Sequence, residues 1–127
     1  MIPTRRASRA SRGIPAAIAT ATDIQRTEDY LGKVGLLGRF SRIVCAAMVE
    51  SGKPKPDIYL YAAQQLGLPA NECLALEDSP NGVRSASSAG CVTVMVPDLT
   101  QPDKELEKLI FAKADSLADV PAIIERT

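Results

Sequence analysis

The sequence predicts an α/β fold: a three-layer, Rossmann-like parallel sheet with helices on both faces. Three observations carry this expectation. Short apolar runs alternate along the chain with longer amphipathic ones. The segments joining successive apolar runs are long enough for crossovers, which makes the strands parallel and the connections right-handed. The runs themselves are apolar on both faces, as in a sheet covered by helices on each side.

The elements follow in order. The run Pro15-Ala16-Ala17-Ile18-Ala19 is short, apolar and ends at Thr20, so it reads as a buried strand. Thr22-Asp23-Ile24-Gln25 fits a capping box, a hydroxyl at the cap and Gln three residues on. A helix carrying Ile24, Tyr30 and Leu31 is expected after it, stopped at Gly32 or Gly35. Arg42 to Ala46 is a second strand, and Ser51 to Pro56 a loop. Pro56 suits the first turn of a helix and Gly67 its C-terminal cap, with Ile58, Tyr61, Ala62, Gln65 and Leu66 as the repeating positions between them. Cys73-Leu74-Ala75-Leu76 is a third strand, broken off by Glu77 and Asp78. Ser79 caps the next helix with Pro80 at its first position, and Gly90 ends it. Val92 to Val96 is a fourth strand. Pro102 to Ala112 and Leu117 to Arg126 are the last helices.

Composition bounds what this fold can do. Hydrophobic residues make up 46% of the 127 and charged residues 24%, the balance of a globular domain. No apolar stretch is long enough to span a bilayer. Fifteen Lys and Arg balance fifteen Asp and Glu, so neither nucleic acid nor a membrane is expected as a partner. Arg5, Arg6, Arg9 and Arg12 form a basic lead-in, expected to be weakly structured over residues 1–12, ahead of a core domain over 13–127. Cys45, Cys73 and Cys91 include no C-x-x-C pair and read as buried, reduced thiols, which suits the cytoplasm. With no histidine, a Ser-His-Asp or Cys-His mechanism is excluded, and so is a histidine metal site. Carboxylates, lysine, hydroxyls and backbone amides must carry any chemistry.

In open parallel sheets, ligands bind beyond the carboxyl ends of the strands. The strand ending at Ala19 delivers Thr20 to that edge, and the strand ending at Leu76 delivers Glu77 and Asp78. Lys53 lies in a loop that opens on the same edge. Adjacent carboxylates attract a hard cation such as Mg²⁺. An ammonium and a hydroxyl beside a helix N-terminus suit a phosphate. Together they are the parts of a phosphoryl-transfer site. Taken singly, Thr20 is a strand-end hydroxyl, Lys53 a solvated loop lysine and Glu77-Asp78 a pair favouring a helix N-terminus. Their order and spacing favour the joint reading.

Three stretches resemble motifs of the haloacid dehalogenase-like hydrolases. Ala17-Ile18-Ala19-Thr20-Ala21-Thr22 resembles the second motif. Ser51-Gly52-Lys53-Pro54-Lys55-Pro56-Asp57-Ile58-Tyr59 is similar to the third. Leu74-Ala75-Leu76-Glu77-Asp78-Ser79-Pro80-Asn81-Gly82-Val83 is similar to the fourth. The resemblance covers roughly residues 13–126 and points to the helical-cap members near β-phosphoglucomutase and phosphoglycolate phosphatase. It implies that Thr20, with the amide of Ala21, holds the transferring phosphoryl group. It implies that Lys53 bridges that group and the nucleophile, and that Glu77 and Asp78 bind or orient Mg²⁺. Thr22, Asp23 and Asn81 are close enough in sequence to line the site. The implied activity is that of a Mg²⁺-dependent phosphatase or phosphomutase acting on a small phosphorylated metabolite through an aspartyl-phosphate.

The family's first motif, an Asp-x-Asp, occurs nowhere in these residues, and neither does the helical cap that follows it. The chain is therefore expected to be inactive alone, an incomplete core from a truncated reading frame or a degenerate copy. In this fold the first-motif strand lies between the strands of the second and fourth motifs. Without it, two inner edges lack partners, which invites closure, filling by another segment, or self-association. Arg5 to Arg12 offers no strong core face as a substitute. The alternative functions are a non-catalytic module that keeps the phosphate and Mg²⁺ pocket, and an unrelated nucleotide-binding α/β protein. The absence of a G-x-G-x-x-G or P-loop stretch weighs against the last.

Overall fold

The apolar runs become the strands of a twisted sheet in the computed structural model, which describes residues 1–5, 16–20, 23–35, 38 and 40–127. Among these, the strands are β1 (Ile2–Pro3), β2 (Ala17–Thr20), β3 (Arg42–Cys45), β4 (Cys73–Glu77), β5 (Val92–Met95) and β6 (Ala112–Lys113). The helices are α1 (Ile24–Lys33), α2 (Asp57–Leu66), α3 (Pro80–Ala89), α4 (Lys104–Glu107) and α5 (Val120–Ile124). Strands β2 and β3 pair in parallel, with Thr20 opposite Cys45. Strands β4, β5 and β6 pair in parallel as a second group, with Glu77 opposite Met95.

Strand β1 joins the two groups, and it runs the other way. Ile2 and Pro3 pair antiparallel with Leu74 and Cys73 of β4. On the opposite side, Met1 exchanges both backbone hydrogen bonds with Ala17: its nitrogen donates to the Ala17 carbonyl at 2.7 Å, and the Ala17 nitrogen donates to its carbonyl at 2.9 Å. Such a reciprocal pair is the antiparallel signature. The gap that the sequence leaves between β2 and β4 is thus filled at its lower end by residues 1–3, and the sheet is mixed rather than purely parallel. Two residues without periodicity give no strand signal, which is why β1 was not expected.

Alternation along β4 sorts the core into two faces. Cys73 and Ala75 pack with Val44, Ile58, Tyr59, Ala62, Ala63, Ala86 and Cys91, under α2 and α3. Leu74 points the other way and packs with Val94, Ala114, Val120 and Ile123, under α5. Val83, Met95 and Leu106 form a smaller cluster that seats α4. These layers are the expected three-layer α/β arrangement.

Several local expectations are corrected. Helix α1 is capped by Asp23, whose carboxylate accepts from the Arg26 nitrogen at 2.9 Å, one residue after the expected Thr22. Aspartate is the stronger cap of the two, and Gln25 turns to Asp29 instead of back to the cap. In α1 Leu31 is buried with Thr27, while Ile24 and Tyr30 are exposed. In α2 the core face is Ile58, Tyr59, Ala62 and Ala63, rotated from the expected Tyr61, Gln65 and Leu66. The helix expected over 102–112 is only the single turn of α4, because Phe111 and Ala112 pair with β5: the Phe111 nitrogen donates to the Thr93 carbonyl at 2.7 Å. The last helix begins as a 3₁₀ turn at Leu117–Asp119 and ends at Ile124. Pro15, Ala21, Thr22 and residues 6–14 lie outside the described residues.

Candidate functional site

The carboxyl edge of the sheet is built by three short connections. Strand β2 ends at Thr20, which is half-buried. After β3 the chain makes a 3₁₀ turn (Ala46–Met48) and then the loop that carries Lys53. That loop is tied at both ends. The Ser51 nitrogen donates to the Asp57 carboxylate at 3.1 Å, and the buried Ser85 hydroxyl of α3 donates to the Lys55 carbonyl at 2.6 Å. Strand β4 ends in Glu77, and Asp78 follows before the α3 cap, where the Ser79 hydroxyl accepts from the Gly82 nitrogen at 3.2 Å.

These ties bring Lys53 and Glu77 together. The Lys53 ammonium lies 2.5 Å from Glu77 Oε1 and donates also to the Ala19 carbonyl at 3.2 Å. It therefore spans the upper end of the gap between β2 and β4, where β1 does not reach. Glu77 is 7% exposed, so its charge is almost wholly removed from water and needs partners. It has three. Lys53 is one. The buried Tyr59 hydroxyl donates to the same Oε1. Gly82, in the first turn of α3, lies so close that a Cβ there would overlap the carboxylate. A helix N-terminus favours a negative charge at that place. The Lys53 ammonium also sits 5.4 Å from the centre of the Tyr59 ring, a cation–π distance.

Burial first, and the charge of Glu77 second, push the Tyr59 phenol well above its ordinary value of 10. Tyr59 thus keeps its proton and serves as a hydrogen-bond donor to Glu77. Sequence reasoning missed it, because the helical repeat placed Tyr61 rather than Tyr59 inside; its position six residues after Lys53, in the first turn of α2, was the available signal. Gly82 was missed too. Its signal is a glycine inside a helix, which needs a packing reason.

Asp78 is exposed where Glu77 is buried. It lines two hollows at the sheet edge. One, of about 270 Å³, is bounded by Leu76, Glu77, Asp78, Val96 and Leu117. The other, of about 160 Å³, is bounded by Asp78, Ser79, Pro80, Asp98, Leu99 and Thr100. A larger hollow, of about 460 Å³, lies at the other end of the strands, between Thr4, Asn71, Glu72, Val92, Phe111 and Thr127, away from this chemistry.

Of the remaining sequence candidates, Asp23 caps α1 and Asn81 is exposed in the first turn of α3. Ala21 and Thr22 fall outside the described residues. Among the described residues no group of three or more His, Cys, Asp or Glu side chains could hold a metal ion by itself. The donors at this edge are all oxygens, with Asp78 open to solvent. That suits a hard cation which keeps waters and takes one or two carboxylates.

Known proteins resemble the stretch of chain that builds this edge. The family model of the haloacid dehalogenase-like hydrolases matches residues 4–90. Protein CbbY of Cupriavidus necator is 44% identical over 88 residues, which are 67% of this chain and 35% of that protein. A probable pseudouridine-5'-phosphatase of Drosophila melanogaster is 50% identical over 91 residues, 67% of this chain and 39% of that protein. Hexitol phosphatase A of Escherichia coli is 39% identical over 103 residues, 76% of this chain and 47% of that protein. The chain thus spans less than half the length of these relatives. Among solved structures, CbbY from Rhodobacter sphaeroides in complex with phosphate superposes with a TM-score of 0.76 at 34% identity, over 90% of this chain and 51% of that one. A β-phosphoglucomutase-like protein from Thermotoga maritima gives 0.79 at 26% identity, over 96% and 56%.

Proposed function

Because the chain belongs to the haloacid dehalogenase-like hydrolases, we propose that it carries the phosphate- and Mg²⁺-binding side of a phosphatase or phosphomutase site for a small phosphorylated metabolite. The observation that supports this most is the Lys53 ammonium held at the carboxyl edge by Glu77 and the Ala19 carbonyl, one residue before Thr20. An ammonium has three N–H groups. Two are engaged in these contacts, and the third is left for a phosphate oxygen.

In this reading Thr20 and the amide of Ala21 bind the phosphoryl oxygens beside Lys53. Asp78, exposed at the edge, would hold Mg²⁺, and Glu77 would orient it while anchoring Lys53. The ion would supply neutralisation of phosphate charge. The relatives named as phosphatases, and the phosphate bound by a CbbY structure, agree with this reading. The 127 residues contain no Asp-x-Asp to form an aspartyl-phosphate, so this chain alone binds phosphate without turning it over. Its setting is cytoplasmic in the same proposal, in keeping with three free, buried thiols. No helix among the described residues is long and apolar enough to cross a membrane.

Calorimetry tests the proposal. Inorganic phosphate should bind in the presence of Mg²⁺. Asp78→Asn should weaken the Mg²⁺ dependence, and Lys53→Met should weaken phosphate about tenfold or more, as expected for loss of a charge-assisted contact of roughly 1.5–3 kcal/mol. Release of phosphate from p-nitrophenyl phosphate should stay at background. No phosphate binding by the wild-type chain would overturn the reading.

A further inference from the structure

We infer that Tyr59 is a positioning residue, whose hydroxyl fixes the Glu77 carboxylate and through it holds the Lys53 ammonium at the sheet edge. The inference rests on the proposed phosphate site for its purpose, but its geometry stands without it.

Glu77 Oε1 receives two donors, the Lys53 ammonium and the Tyr59 hydroxyl. The two differ in freedom. Lys53 reaches the site on a flexible stem from a loop. Tyr59 comes from the first turn of α2, is 2% exposed, and belongs to the core cluster that includes Val44, Ile58, Ala62 and Ala75. A ring so placed cannot follow a moving partner, so the hydroxyl defines one position for the carboxylate oxygen. Gly82 closes the other side, because the space where its Cβ would lie is taken by the carboxylate. Glu77 is therefore held between a core tyrosine and a helix N-terminus, and the lysine comes to it.

The same tyrosine acts on Lys53 a second time through its ring, 5.4 Å from the ammonium. Ring and hydroxyl can be separated by experiment. The hydroxyl is presented by a ring fixed in the core, so its bond to Glu77 does not depend on where Lys53 goes. The carboxylate thus keeps one neutral donor when a ligand takes up part of the ammonium's hydrogen bonding.

The test compares Tyr59→Phe, which removes only the oxygen, with the wild-type chain. Lysine acylation under trace-labelling conditions, read by peptide mass mapping, reports where each ammonium is. In the wild type Lys53 should react at least fivefold more slowly than exposed Lys33 and Lys108. In Tyr59→Phe the Lys53 rate should rise at least threefold, with Lys33 and Lys108 unchanged and the thermal midpoint lowered by only a few degrees. Phosphate affinity should fall at least fivefold. In a Glu77→Gln background, Tyr59→Phe should add less than half of its effect on the Lys53 rate, because the hydroxyl acts through that side chain. An unchanged Lys53 rate, or a full additional effect in the Glu77→Gln background, would overturn the inference.

A measurement on the unmodified chain stands beside the variants. The Tyr59 hydroxyl proton should give a resolved, downfield NMR signal with through-space contacts to the Lys53 side chain. Its absence would overturn the inference even if Tyr59→Phe did not fold. A wild-type chain that binds no phosphate, yet releases Lys53 in Tyr59→Phe, would sink the proposed function and leave the positioning intact.

Discussion

At the scale of single residues, burial decides chemistry. Glu77 and Asp78 are neighbours in sequence, yet one is enclosed and the other faces water. Gly82 makes the enclosure possible. Gly82→Ala should force the buried carboxylate or the first turn of α3 to move, costing about 1–3 kcal/mol as overpacking does, measured as a shift of the urea midpoint. Tyr59 gives a pH prediction. Its folded pKa lies above the unfolded value of 10, so the folded state keeps a proton that the unfolded state loses. The stabilisation is fully present below pH 10 and is lost as pH rises above it, with a slope of about 1.4 kcal/mol per pH unit for one proton. In a spectrophotometric titration, one of the three tyrosines should fail to ionise until the protein unfolds. Tyr59→Phe should lose that one-proton dependence. Two cysteines behave alike in kind: burial pushes Cys91 up to about 12 and raises Cys73. All three thiols are buried. None should react with a thiol reagent within minutes in the native state, and all three should react in guanidinium.

At the scale of elements, most of the framework was legible because local rules and tertiary packing agree. Ser79 with Pro80 opens α3 as expected, and Gly90 closes it at φ 94°, a backbone conformation that a side chain disfavours. Ser79→Ala should cost about 1 kcal/mol of stability, read by chemical denaturation. The errors mark places where long-range contacts won. Leu106, Leu109 and Ile110 have helical spacing, but pairing of Phe111 and Ala112 with β5 stops the helix after one turn. In α2 the pattern of Tyr61 and Leu66 was plausible alone, but β3 and β4 present their apolar faces to Tyr59 and Ala63. That phase error hid Tyr59. By contrast, the placing of Lys53 and Glu77 on one sheet edge could be read in advance, because the ends of parallel strands are fixed in space once their order is known; their direct contact could not.

At the scale of the molecule, the unusual part is the seam between the two parallel groups of strands. Its lower half is β1, and the Thr4 nitrogen extends the pairing by donating to the Glu72 carbonyl at 2.8 Å. Nothing in the composition of residues 1–4 announces a strand, since the segment is defined only by the groove that receives it. Removal of residues 1–4 should leave the facing edges of β2 and β4 without partners there. The expected outcome is concentration-dependent association by light scattering, with faster amide exchange at Ala17. A monodisperse, equally protected product would refute it.

In the upper half of that seam a side chain takes over from the backbone. Lys53 bridges the Ala19 carbonyl of β2 and the Glu77 carboxylate of β4, so the proposed phosphate site and the closure of the sheet share one ammonium. Cohesion and the proposed recognition would therefore share the three hydrogen atoms of one ammonium. A ligand that pulled Lys53 away from Ala19 would bind against the integrity of the sheet and lower its apparent affinity. One that used only the spare N–H would lock the two halves together and raise the melting temperature in step with its occupancy.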